Sequence, residues 1–186
     1  MKISVTKNLK GWTTIYDAVR KPNGLFDLDG AKDPLWRPDG KVLYDDHNLI
    51  TTFGKTRAAQ LLGGIDVNFI NAMAIGDEGA PVASPSTPYI PLATDTGLSN
   101  ELARTTLVNP IIVGSNQLRF TALFLTAPPL AFANILLKAI NEVGLFFQDD
   151  VQPGTPRIFA RNTFPSIPFD TVDREGVIVT WTITIV

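Results

Sequence analysis

The side chains able to do chemistry are few in this chain, and their spacing is poor. His47 is the only histidine, and there is no cysteine. A Ser-His-Asp relay therefore rests on a single imidazole, while disulfides, thiolate metal sites and a cysteine nucleophile are excluded. No Gly-x-Ser-x-Gly turn exists to expose a serine nucleophile. Gly54-Lys55-Thr56 matches the end of a phosphate loop, but the glycine needed five positions earlier is Leu49. Without it the backbone amides cannot wrap a phosphate, so the segment reads as a helix start with a surface lysine. Asp27, Asp29 and Asp33, and the pair Asp45-Asp46, have the look of oxygen ligands for calcium. An EF-hand needs glutamate at position twelve, which counted from Asp27 is Pro38. These carboxylates read as solvated turns. No metal or cofactor is assigned.

Glu101, Glu142, Asp149 and Asp150 supply the carboxylates that a glycosidase pair requires. Glu142 stands out because it interrupts an apolar strand. A buried acid there is either catalytic or a structural tie to backbone amides, Arg104 or Arg161. The tie is the reading adopted, with Glu142→Gln turnover as the discriminating test, and no catalytic residue is assigned.

Hydrophobic residues make up 45% of the 186 and charged residues 18%, which suits one domain with a real core rather than a disordered chain. The net charge of −2 leaves no basic footprint for nucleic acid and no polybasic patch for a membrane. Met1-Lys2-Ile3-Ser4 lacks the apolar run of a signal peptide. The most apolar window, 120–140, contains Pro128, Pro129, Asn134 and Lys138, so no membrane helix is expected.

The elements that would position these groups are mostly strands. Residues 177–186 are all β-branched except Trp181, with Val177, Val179, Trp181, Ile183 and Ile185 on one face and Thr180, Thr182 and Thr184 on the other. Further strands are expected near 70–75, 105–113, 117–126, 135–147 and 157–164. Residues 48–64 predict a helix capped by Thr51 or Thr52 and ended by Gly63-Gly64. A second short helix is expected at 97–104, where Leu98 and Leu102 share a helical face. Residues 81–91 hold four prolines and read as a loop. The pattern predicts a mainly β fold, an antiparallel β-sandwich with one or two short helices.

Residues 1–47 read as an extended, hairpin-like N-terminal arm preceding a β-sandwich domain at 48–186. Strands are expected at 11–16 and 41–44, with few core-quality residues between them. The arm therefore needs something to lie on, and Trp12, Ile15, Tyr16, Trp36 and Tyr89 are the expected interface residues.

Several segments in order then carry a resemblance. They are Asn48-Leu49-Ile50-Thr51 with Gly54 and Leu61-Leu62-Gly63; Met73-Ala74-Ile75-Gly76-Asp77; and Asp95-Thr96-Gly97-Leu98 with Glu101 and Arg104. Asn141-Glu142-Val143-Gly144-Leu145-Phe146, Ala160-Arg161-Asn162-Thr163-Phe164 and Trp181-Thr182-Ile183 follow. Over residues 48–186 their spacing resembles bacteriophage virion proteins of the tail, fibre and baseplate-accessory group. The resemblance implies a non-enzymatic structural protein of the virion, made in the host cytoplasm. Its expected partners are copies of itself and other virion proteins, with neither nucleic acid nor membrane among them. A capsid decoration (cement) protein is the near alternative. A carbohydrate-binding module using Trp12, Trp36 or Tyr89 is the alternative of another class.

Overall fold

The computed structural model describes residues 9–18, 41–64, 69–77, 91–107, 110–125, 138–147, 158–169 and 176–185. Trp36, Tyr89, Asp27, Asp29, Asp33, Asp149 and Asp150 lie outside them, as do residues 81–90 of the proline-rich loop.

In chain order the elements are β1 (Leu9–Asp17), β2 (Val42–Ile50), α1 (Thr52–Leu62), β3 (Ile70–Gly76), β4 (Glu101–Thr106), β5 (Ile111–Ile112), β6 (Gln117–Leu125), β7 (Lys138–Phe147), β8 (Ile158–Phe169) and β9 (Gly176–Ile185). The fold is mainly antiparallel β. Its strands join into one nine-stranded sheet, ordered β4-β3-β7-β8-β2-β1-β9-β6-β5.

β2 links the two halves of this sheet. Its residues 42–48 pair with β1, while Leu49 and Ile50 pair with Arg161 and Ala160 of β8. The sheet curls so that both halves send apolar side chains into one cluster, including Ile15, Ile75, Phe120, Leu145, Phe164 and Trp181. The two edge strands, β4 and β5, are consecutive in the chain. No helix among the described residues is long and apolar enough to cross a membrane.

The expected C-terminal strand is β9, hydrogen-bonded along its length to β1 and β6. Val177, Val179, Trp181 and Ile183 enter the core, and Thr180, Thr182 and Thr184 are partly exposed on the other face. Alternation places the large residues inside, and pairing on both sides removes the edge.

α1 begins at its expected cap, Thr51, but residues 48–50, expected in the helix, are the end of β2. The Thr51 hydroxyl accepts from the Gly54 amide at 2.9 Å and donates to the Ile158 carbonyl at 2.8 Å, joining helix start to β8. Gly54, the supposed phosphate-loop glycine, is needed for close packing. A Cβ there would lie 2.1 Å from the Phe159 carbonyl oxygen.

Three expectations are corrected. The second helix at 97–104 does not form; residues 101–106 are β4, paired with β3. Leu98 and Leu102 serve different clusters, Leu98 packing with Phe146 and Ile158 and Leu102 against the main core. Leu102 is placed by β4 and Leu98 by the segment that precedes it, an outcome that a helix presenting one apolar face would not allow. The strand at 105–113 is divided into β4 and β5, with Pro110, which lacks an amide donor, just before β5. β8 runs beyond 164 to Phe169 through two prolines, beside a β2 that pairs with it only at Leu49 and Ile50.

The described parts of residues 1–47 also differ from a detached arm. β1 and β2 form the expected antiparallel hairpin, but they stand in the middle of the sheet. Ile15 and Tyr16, expected at an interface, are 0% and 5% exposed. The partner sought for them on another subunit is this chain's own β9, where Val179 and Ile178 stand opposite.

Candidate functional site

Three features carry polar chemistry or unpartnered surface. The first is a buried ionic clamp on the outward face of β7 and β8. Arg161 Nη2 donates to Glu142 Oε2 at 2.5 Å and to Ser99 Oγ at 2.7 Å, while Nη1 donates to Asp95 Oδ2 at 2.9 Å. The Arg161 and Glu142 side chains are 3% and 0% exposed. Glu142 also accepts the Asn100 amide at 3.0 Å on Oε1 and the Ser99 amide at 3.1 Å on Oε2. Asp95 accepts the Leu92 amide, and Asn100 donates to Asp77.

The clamp thus fastens the 91–100 segment over the sheet, where Leu98 adds an apolar contact to Ala74, Phe146 and Ile158. Both Glu142 oxygens are engaged by the fold, and the Arg161 guanidinium bridges Glu142 and Asp95. This geometry ties a segment down. Of the two expected partners, Arg161 takes the role. Arg104 instead grips Glu101 through Nε and Nη2 at 2.8 and 2.7 Å and lies 3.8 Å over the Phe146 ring. Charges on this edge strand discourage indiscriminate strand pairing.

The second feature is the outward face of the β1–β2 hairpin. Trp12 is 37% exposed, and its indole N–H donates to Asp45 Oδ1 at 2.7 Å. Thr14 Oγ1 donates to the same oxygen at 2.5 Å. The exposed His47 ring meets Trp12 nearly edge-on, with centroids 4.3 Å apart. The chain's one histidine therefore sits beside an aromatic ring and one strand position from an aspartate. No serine or threonine hydroxyl is hydrogen-bonded to its imidazole among the described residues. Asp45 is used by Trp12 and Thr14, and no group of three or more metal-type ligands stands together among the described residues.

The third is an apolar cleft of about 370 Å³ at one end of the curled sheet. Leu9, Leu61, Ile70, Leu118, Phe159 and Ile183 help line it. Leu62, Ile112 and Ile185 also belong to it, yet they are 63%, 74% and 50% exposed, and Phe69 beside Ile70 is 54% exposed. Apolar side chains converging at one end of a sheet mark a contact surface more often than scattered exposure does. Sequence reasoning missed this end. Ile185 was counted with the core face, and nothing local separates Ile112 from its neighbour Ile111.

Of the expected interface residues, Trp12 alone is exposed among those described; Ile15 and Tyr16 are core. No family model matches this sequence, and neither a curated protein nor a solved structure is similar enough to match it.

Proposed function

We propose that this chain is a non-enzymatic structural protein of a bacteriophage virion, in the tail, collar or fibre-attachment apparatus. Its partners are further copies of itself and other virion proteins. The apolar end formed by Leu62, Ile112 and Ile185 carries this reading. A surface of that kind is costly to leave in water and is covered when subunits associate. The ordered resemblance over residues 48–186 supports the virion as the setting. The clamp also suits a packing module, because it commits the most buried charged side chains to holding a segment in place. The sandwich description fits if the halves of the curled sheet are taken as two layers, with β2 passing from one to the other. With β1 and β2 inside the sheet, docking falls to the apolar end and the sheet edges rather than to a free arm.

The test is incorporation. Tagged chain is supplied during infection, and purified particles are analysed by quantitative mass spectrometry. Wild type is expected in particles at a fixed ratio to the other structural proteins. Leu62→Asp and Ile112→Asp, both at exposed positions, are expected to fold and to be left out. Wild type found only in the soluble fraction would reject the virion reading; charged variants incorporated normally would reject the docking surface. A position on the capsid shell rather than the tail would select the cement alternative.

A further inference from the structure

We propose that the outward sheet face around Trp12 is a carbohydrate-binding site, on which a pyranose ring stacks against the indole while its hydroxyls meet Asp45 and His47. This stands independently of the virion reading.

The indole is oriented before any ligand arrives. Its N–H is held by Asp45, Asp45 is held in turn by Thr14, and the His47 ring abuts the indole from the neighbouring strand. A ring fixed this way loses little freedom on binding. More than a third of Trp12 remains open to solvent.

The surroundings match a sugar better than a protein. Opposite Trp12 stand His47 on β2 and Thr182 on β9, and opposite Thr14 stand Asp45 and Thr180. Lys10, Thr184 and Gln117 continue the same face. The side chains next to the indole are polar, and Tyr16 and Ile178, one row beyond Thr14, are buried. A protein contact would be expected to gather several apolar or aromatic residues at its centre. A pyranose has the complementary form, an apolar C–H face bordered by hydroxyls. Among the described residues, Asp45 Oδ2 and both His47 ring nitrogens make no hydrogen bond, so an acceptor and a donor–acceptor pair flank the indole.

The register also provides length. His47, Trp12, Thr182 and Arg119 stand in one row across four adjacent strands. At the usual strand spacing that row spans about 14 Å, enough for a short oligosaccharide.

The full chain is applied to a printed array of bacterial surface polysaccharides together with malto-, cello-, chito- and galacto-hexasaccharides. The best-retained hexasaccharide or polysaccharide fragment is then titrated by calorimetry. Saturable binding is expected, weakened at least about tenfold by Trp12→Ala and less by Asp45→Asn or His47→Ala, with Trp12→Phe intermediate. Circular dichroism melts identify the variants that remain folded, and Trp12→Phe keeps the test open should Trp12→Ala fail to fold. Wild type retained by nothing on the array, or folded Trp12 variants that bind as wild type does, would overturn the site.

Discussion

Arg161 and Glu142 meet diagonally on adjacent antiparallel strands, Arg161 standing opposite Gly144 and Glu142 opposite Thr163, with Nη2 and Oε2 2.5 Å apart and neither side chain appreciably exposed. Removing one member leaves the other's charge in the interior. Glu142→Ala or Arg161→Ala is expected to cost about 3–5 kcal/mol, against a typical domain stability of about 5–15 kcal/mol. Glu142→Gln keeps an acceptor and should cost less, about 1–3 kcal/mol. The alanine double mutant should lose less than the sum of the single losses, because the pair shares one interaction. Urea melts check all four; additive losses would show that the two residues act separately.

Asn48 and Trp181 form a second buried relationship. With its amide oxygen turned toward the core, Asn48 accepts from the Trp181 indole N–H at 2.6 Å and from the Trp12 amide at 3.0 Å. The side chain reaches there by crossing Gly11, where a Cβ would lie 2.5 Å from Asn48 Cγ. Asn48→Leu should cost about 1–3 kcal/mol by leaving a buried donor unpaired. Gly11→Ala should cost a similar amount, about 1–3 kcal/mol, by overpacking. An unchanged denaturation midpoint in both would remove Asn48 from the core.

Tyr44 gives the fold an alkaline limit. Its hydroxyl lies 3.4 Å from the Thr163 carbonyl. Burial raises the phenol above its ordinary 10.0; Asp46 and, less strongly, Asp45 add to the rise, and the hydrogen bond with Asn162 opposes it. The folded state therefore keeps the proton at a pH where the unfolded chain has lost it. The resulting stability is fully present below pH 10.0 and is lost as pH rises through the folded value. Tyr44→Phe should flatten part of the decline in urea midpoint above about pH 10. Parallel profiles for wild type and variant would contradict this.

Deleting residues 1–47 should abolish cooperative unfolding. The deletion removes β1 and most of β2, exposes one whole side of β9 and takes Ile15 from the core. A buried residue of that size is worth about 1.5–3 kcal/mol before any hydrogen bond is counted. A truncated chain that still melts cooperatively would restore the arm to the status of an appendage.

Much of this architecture is legible from local pattern. β9 follows from strict alternation around Trp181, and α1 from Thr51 and the two glycines that end it. Glu142 announced itself as an acid in an apolar run, and its tie to Arg161 was one of two options the sequence left open. What stayed hidden is non-local. Leu98 and Leu102 have helical spacing, yet Leu102 lies in β4, paired with β3, while Leu98 lies in the segment before it, and they reach different clusters. Ile15 and Tyr16 lay in a segment with too few apolar neighbours in sequence to suggest a core, because those neighbours arrive from β9, more than 160 positions away. The apolar end was invisible for the same reason: Leu62, Ile112 and Ile185 belong to three separate elements.

The most direct measurement is a reconstruction of the purified virion at a resolution that traces the chain. The expected result is this chain in the tail, collar or fibre-attachment region, with Leu62, Ile112 and Ile185 covered by a neighbouring subunit. A particle without the chain, or a bound chain whose apolar end faces solvent, would contradict the proposed assembly role.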